Sequence, residues 1–158
     1  MTVIVGLVTP DGAWMGSDSA AVSGEHFSGT SSPKVYRIGN ALVGHAGEFG
    51  ACQAAIKWWQ ETDKPSAQKF ATEFRPRERK CSLLVIEKGR LYEIDEGRGV
   101  LKARKSKGTA FAAIGSGWLP AMGSLFASHN GPDAVLVALK ASARYSTTVV
   151  APFRILEA

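Results

Sequence analysis

Residues 2–9, TVIVGLVT, form a β-rich run that is apolar on both faces. Successive side chains of a strand point to opposite sides, so such a strand must be covered above and below. Pro10-Asp11-Gly12 follows. Proline presets φ for a turn and glycine accepts positive φ. Residues 13–18 (AWMGSD) then read as the returning strand. The chain opens with a hairpin whose first strand is buried from both sides.

The rest of the chain supplies the cover. "VSGEHFSGTSSP" reads as a polar, irregular connection, and "KVYRI" and "ALVGHA" as two short strands around a Gly39-Asn40 hairpin turn. The period then changes. Phe49, Cys52, Ile56 and Trp59 recur at helical spacing, which predicts an amphipathic helix over 48–61. Pro65-Ser66 opens a second short helix to about Phe74, helped to stop by Pro76. "CSLLVI" and "LYEID" form a hairpin, and "TAFAAI" is one more strand, ending in Gly115-Ser116-Gly117. Helices are expected at about 119–128 and 132–144, with Asn130-Gly131 as a C-cap between them and Pro132 at a helix start. "TTVVAPFRIL" reads as a final strand. Helices arrive in pairs, not singly between strands, which argues against a doubly wound βαβ fold. Two antiparallel sheets packed face to face, with helix pairs outside, fit this α+β order.

The 158 residues suit a single domain, 1–158, with a sizeable core. The net charge of +5 permits anionic partners without demanding them. Its two basic runs, Arg75 to Lys80 and Lys102 to Lys107, lack interleaved aromatics, so nucleic-acid binding is not expected. Cys52 and Cys81 share no metal-type spacing and read as buried free thiols. The start has no signal-peptide pattern, and no run approaches the roughly 18 apolar residues of a membrane span. A cytoplasmic protein is expected.

The first hairpin can be registered from its turn. If the turn centres on Pro10 and Asp11, paired residues sum to about 21, which sets Thr2 beside Ser19 and one residue from Asp18. A further strand begins at Lys34, sixteen positions on, and pairing with the first two would complete a Thr–Asp–Lys cluster. The cluster makes chemical sense once Met1 is removed. A free Thr2 carries an α-amine that can take its hydroxyl proton as the oxygen attacks a carbonyl. A Lys34 ammonium disfavours protonation of that amine, and Asp18 keeps the lysine charged and in place.

The pattern T-x-x-x-G-x(5)-G-x(5)-D-S from Thr2 through Gly6, Gly12 and Asp18-Ser19, followed by Lys34, resembles proteasome β-subunits and the bacterial HslV peptidase. "VGHAG" (Val43 to Gly47), "AIGSG" (Ala113 to Gly117) and "ALKASARYS" extend the resemblance over nearly the whole chain. It implies a four-layer αββα sandwich of the N-terminal-nucleophile (Ntn) hydrolase type and a threonine-type endopeptidase that assembles as a self-compartmentalising ring. Thr2 would be the nucleophile and its amine the base, tuned by Asp18 and Lys34. Ser116 would hydrogen-bond near the amine and help shuttle protons. The Gly47 N–H would donate to the oxyanion. His45, Ala20 and Ala21 would line the substrate site. An AAA+ unfoldase is an implied partner, and no cofactor is, beyond a structural cation on backbone carbonyls near Ser146. One departure stands out: proteasome subunits usually carry an aspartate where this chain has Ala143.

Other classes stay in view. The same fold could serve an unprocessed, non-catalytic structural or interaction protein. A serine hydrolase elsewhere would have Ser17, Ser19 or Ser116 and three histidines to draw on, but no G-x-S-x-G elbow. "GHAGEFG" has neither a dinucleotide fingerprint nor a Walker lysine.

Overall fold

The computed structural model describes residues 2–23, 26–30, 33–74, 80–95, 99–103, 107–128 and 130–158, with backbone alone for 21–23 and 26–30. Met1, most of the Arg75 to Lys80 run, the middle of the Lys102 to Lys107 run and the Ala21 side chain lie outside that description.

Strands β1 (Val3–Thr9) and β2 (Gly12–Ser17) form the expected hairpin, in a register that sums to 21: Ile4 opposes Ser17 and Thr9 opposes Gly12. β10 (Ala110–Gly115) pairs with the other edge of β1, and β11 (Arg154–Glu157) with the other edge of β2. The second sheet runs β5 (Val35–Ile38), β6 (Ala41–Gly47), β7 (Cys81–Glu87), β8 (Arg90–Asp95) and β9 (Gly99–Lys102), in that spatial order. All the pairings are antiparallel.

The pleat sorts side chains into three apolar layers. Ile4, Val8 and Met15 point between the sheets, where they meet Leu42, Leu84 and Ile86. Val3, Val5 and Leu7 point outward onto α3 (Trp118–Ala127) and α4 (Gly131–Tyr145). On the far side Val43, Leu83 and Val85 pack against α1 (Phe49–Glu61) and α2 (Ala67–Glu73). This is the four-layer αββα arrangement expected from the paired helices, and β1, covered on both faces, is its centre. Truncating a side chain such as Leu84, fully buried between the sheets, costs about 2–5 kcal/mol in comparable cores.

Several expectations need correction. Lys34 does not lead into a strand on the first sheet. β5 pairs with β6 in the opposing sheet, because β11 already occupies the free edge of β2. The "irregular connection" is a two-stranded ribbon, β3 (Ala20–Ser23) with β4 (His26–Thr30), carrying a register shift between Ala21 and Val22. Its Ser- and Gly-rich composition reads as loop and hides that pairing. The short edge strand β9 extends the second sheet beyond β8 and has no counterpart among the expected strands. The final strand is shorter than TTVVAPFRIL, since Pro152 has no N–H to give a ladder. Residues 146–150 turn instead, with Val149 N–H donating to Ser146 O at 3.3 Å. Asn130 is the N-cap of α4, not a C-cap, and Gly131 supplies the positive φ (67°) at the first helical residue.

Candidate active site

β1 and β2 deliver the first two groups. The hairpin ladder runs one step past β2, where Asp18 N–H donates to Val3 O at 3.4 Å. That turns the Asp18 carboxylate back beneath the start of the chain. Its Oδ1 accepts the Thr2 hydroxyl at 3.2 Å and the Val3 N–H at 3.1 Å, and its Oδ2 accepts the Ala20 N–H at 3.0 Å. The third group comes from the opposite sheet. Lys34 precedes β5 and is tied to β6 by His45 N–H donating to its carbonyl at 3.0 Å. Its Nζ lies 2.9 Å from Asp18 Oδ1. Thr2, Asp18 and Lys34 are 6%, 2% and 6% exposed, so this is a buried ion pair with a hydroxyl on its anion.

Burial and charge act oppositely on Lys34. Desolvation is the larger effect and lowers its pKa from 10.5; the Asp18 carboxylate pulls it back up by charge and by hydrogen bond. Desolvation thus works against the ammonium even within its pair with Asp18.

β10 closes the third side. It ends at Gly115, whose φ is +89° and where an added Cβ would lie 2.2 Å from Thr2 O. Only glycine lets the two backbones approach this closely. Thr2 O then accepts from Gly117 N–H at 3.4 Å and from the Ser116 hydroxyl at 3.3 Å. Ser116 therefore reaches the Thr2 carbonyl, and its hydroxyl also contacts Thr148 Oγ1 at 3.1 Å. Ser142 Oγ, fully buried, holds the turn from behind by donating to Gly117 O at 2.8 Å.

Gly47 ends β6 with φ +137°, where an added Cβ would lie 2.3 Å from Lys80 O. A side chain is excluded there on both counts. His45 does not face the Thr–Asp–Lys cluster. Ala41 and Val43 of β6 face α1, whereas Leu42 and Ala46 face between the sheets. His45 follows Val43. Its ring stacks on Tyr36 with centroids 5.9 Å apart, and its Nε2 is buried with no hydrogen-bond partner. The β6 side chain between the sheets at this level is Ala46, one residue on. Ala20 is buried, with its N–H on Asp18.

Behind β6, Cys52 and Cys81 are buried thiols that form no disulfide, as expected. A side-chain hydrogen bond with Cys81 is the main cause lowering the Cys52 pKa to about 5; burial opposes it and His45 assists. Among the described residues no group of three or more His, Cys, Asp or Glu side chains could hold a metal ion, and no helix is long and apolar enough to cross a membrane.

Sequence reasoning missed Thr148, Ser142 and Ala46. Ser142 had a legible signal. It continues the buried stripe Val135, Ala138, Leu139 of α4, and a hydroxyl on such a stripe needs a partner. Ala46 was legible by the period of two along β6. Thr148 had none, since it stood in a presumed strand.

No protein-family model matches the chain, and no curated protein matches it by sequence. Solved structures do. Eukaryotic HslV from Trypanosoma brucei superposes with a TM-score of 0.79 at 21% identity, covering 99% of this chain and 98% of that one. Thiobacillus denitrificans BPH superposes with a TM-score of 0.78 at 15% identity, covering 99% and 97%, and is also known in complex with epoxomicin. Anbu, the ancestral beta-subunit from Yersinia bercovieri, gives 0.76 at 18% identity, covering 99% and 81%. Likeness over nearly the full chain, on a sandwich of this layer order and strand pairing, identifies the fold as the HslV- and proteasome-like fold of the Ntn hydrolases.

Proposed function

We propose that this protein is a threonine-type peptidase which cleaves peptide bonds with Thr2 after removal of Met1. The observation that carries the reading is the convergence of the Thr2 hydroxyl and the Lys34 ammonium on one oxygen of buried Asp18. With Met1 attached, the Thr2 nitrogen is an amide without a basic lone pair. Once free, its amine takes the proton of Oγ1 as that oxygen attacks the scissile carbonyl. The buried Lys34 charge disfavours protonation of the amine and so keeps it a base. The Gly47 N–H is the proposed oxyanion donor, a role worth about 3–4 kcal/mol in comparable sites. Ala46, Ala20 and Ala21 are proposed to border the substrate, with His45 outside that wall.

The chain is further proposed to act as a ring-forming homo-oligomer in the cytoplasm, fed unfolded protein by an AAA+ partner. Exposed apolar side chains on the outer helices support self-association: Leu119 and Phe126 of α3 are 64% and 80% exposed, and Tyr145 of α4 is 80% exposed. A structural cation on carbonyls near Ser146 belongs to the same proposal. Ser146 O already accepts the Val149 N–H, which leaves it one lone pair for an ion.

Native expression followed by intact-mass measurement tests the first step: the expected chain lacks Met1. Epoxomicin should then add covalently at Thr2, and Thr2→Ala should abolish peptide cleavage while the assembly persists. Full cleavage by Thr2→Ala would overturn the reading. Retained Met1 with an unlabelled Thr2 would make the chain an unprocessed scaffold on the same fold.

A further inference from the structure

We propose that Cys52 and Cys81 are a peroxide-sensitive pair, in which Cys52 is oxidised to a sulfenic acid and Cys81 closes on it as a disulfide between α1 and β7. The proposal stands apart from the peptidase reading. Placement comes first. Gly47 opposes Cys81 and His45 opposes Leu83 in the β6–β7 ladder. Cys81, Leu83 and Val85 pack on the helices, and Cys52 is on the buried side of α1. The backbone draws the two cysteines together through one residue. Glu48 N–H donates to Lys80 O at 3.1 Å, and Glu48 O accepts the Cys52 N–H at 2.9 Å. The side chains then meet, thiol to thiol, in a hydrogen bond. A disulfide needs two thiols that already approach closely from their own elements.

A buried thiol is commonly a small apolar filler. Three features set this pair apart. The first is polarity. His45 hydrogen-bonds Cys52, and its buried Nε2 has no partner, so three polar side chains gather beside a layer of Val43, Leu83, Val85 and Trp59. The second is charge. The Cys81 hydrogen bond first, with His45 assisting, lowers the Cys52 pKa to about 5 against the effect of burial. Cys52 is also the fourth residue of α1, where a helix favours an anion. At neutral pH it is therefore a thiolate, the form that attacks a peroxide. The third is cover. Cys52 and Cys81 are 1% and 0% exposed, yet residues 47–50 and Lys80, next to them along the chain, are exposed. The N-cap Glu48 gives the first turn of α1 no side-chain hydrogen bond, so that turn opens at low cost. This depth keeps out a bulky disulfide reagent and admits a molecule as small as hydrogen peroxide.

The step balances. The Cys52 thiolate attacks one oxygen of hydrogen peroxide. The S–O bond forms, the O–O bond breaks, and the sulfur gives up two electrons to the peroxide. The released hydroxide takes the proton that Cys52 had lost and becomes water. The Cys81 sulfur then attacks the Cys52 sulfur. The S–S bond forms, the S–O bond breaks, and the leaving hydroxide takes the Cys81 proton. One peroxide and two thiols become one disulfide and two waters.

The test treats the reduced, folded full chain with hydrogen peroxide and then alkylates the remaining thiols in denaturant. A parallel tube holds glutathione at the same thiol concentration. Intact mass should show a chain that takes up no alkyl group while the glutathione is still mostly thiol, because a thiolate reacts ahead of a thiol. Proteolysis should release one cross-linked pair of peptides, holding Cys52 and Cys81. Cys81→Ser should stop at a sulfenic acid on Cys52, trapped by dimedone. Cys52→Ser should leave Cys81 reduced over the time in which the wild type is fully bridged. A wild-type chain still alkylated at both cysteines after the glutathione is oxidised would overturn the proposal. A bridge found only between chains would also overturn it, as would Cys81 oxidised equally fast in Cys52→Ser. The wild-type measurement uses no variant, so it decides the matter even where a substitution unfolds the chain.

Discussion

Thr2 and Lys34 meet at a single atom. The Thr2 hydroxyl donates to Asp18 Oδ1 across 3.2 Å and the Lys34 ammonium donates to the same oxygen across 2.9 Å. The two residues come from opposite sheets, so this oxygen also joins the halves of the sandwich. Asp18→Asn keeps the shape and removes the charge. Lys34 is then left buried without its counter-ion, and the new amide must turn either its NH2 towards the Ala20 N–H or its donors towards Lys34 and Thr2. Loss of one partner of a buried ion pair costs about 3–5 kcal/mol. Denaturant unfolding should report a loss of that size, with no cleavage by the Met1-free variant. A loss below about 1 kcal/mol, the range of an exposed pair, would contradict the buried-pair account.

The pH dependence of stability follows from Lys34. Its pKa in the folded chain lies below the 10.5 of the unfolded one, chiefly through desolvation. Between those two values the unfolded chain binds more protons, so stability climbs as pH rises through the window. Below the window both states are charged and the burial penalty is constant. Lys34→Met removes this titration. The stability of the wild type relative to Lys34→Met should therefore increase with pH on approaching 10.5. Urea titrations at a series of alkaline pH values measure the difference, and a flat difference would show that Lys34 is not desolvated.

The hairpin register was legible because a two-residue turn fixes every pair beyond it, and the observed sum of 21 brings Asp18 under Thr2. The helix pairs were legible because the period of Phe49, Cys52, Ile56 and Trp59 differs from that of any strand. Lys34 was found on spacing and its sheet was misjudged. Nothing local states that β11, over a hundred residues later, takes the edge of β2. The same non-local cause hid Thr148, which acquires its partner only when residues 146–150 return to Ser19 and Ser116. His45 was expected at the substrate site; the period of two along β6 sets it on the side of Val43, which packs on the helices, and opposite Leu42 and Ala46.

Cys52 offers a probe of the region behind β6. Its thiol is pulled down from 9.0 to about 5 by the Cys81 hydrogen bond first, with His45 assisting and burial opposing. For an acid whose folded pKa is depressed, the stabilisation is complete above the unfolded value and is lost as pH falls through the folded one. The advantage of wild type over Cys52→Ala should therefore grow from about pH 5 to 9.0. Ultraviolet thiolate absorbance should persist at neutral pH, and Cys81→Ala should move its loss to higher pH. Absorbance that titrates unchanged in Cys81→Ala would remove Cys81 as the cause.

Gly115 is the point at which β10 meets Thr2. Its φ of +89° disfavours any side chain, and a Cβ there would overlap Thr2 O at 2.2 Å. Backbone atoms cannot yield as a flexible side chain can, so Gly115→Ala must displace Thr2, the turn, or both. Either shift breaks the contacts of Thr2 O with Gly117 N–H and Ser116 Oγ and draws the hydroxyl off Asp18. Left-handed strain in a non-glycine residue costs about 1–3 kcal/mol. The expected outcome is a loss of at least that size in denaturant unfolding, and a loss of epoxomicin labelling at Thr2 that persists under conditions where the variant remains folded. The Gly39→Ala control shares a positive φ (55°) with nothing within 4 Å of the added Cβ. It should show only the conformational cost and keep its labelling. Equal labelling in the two variants would mean that the close approach of β10 does not position Thr2.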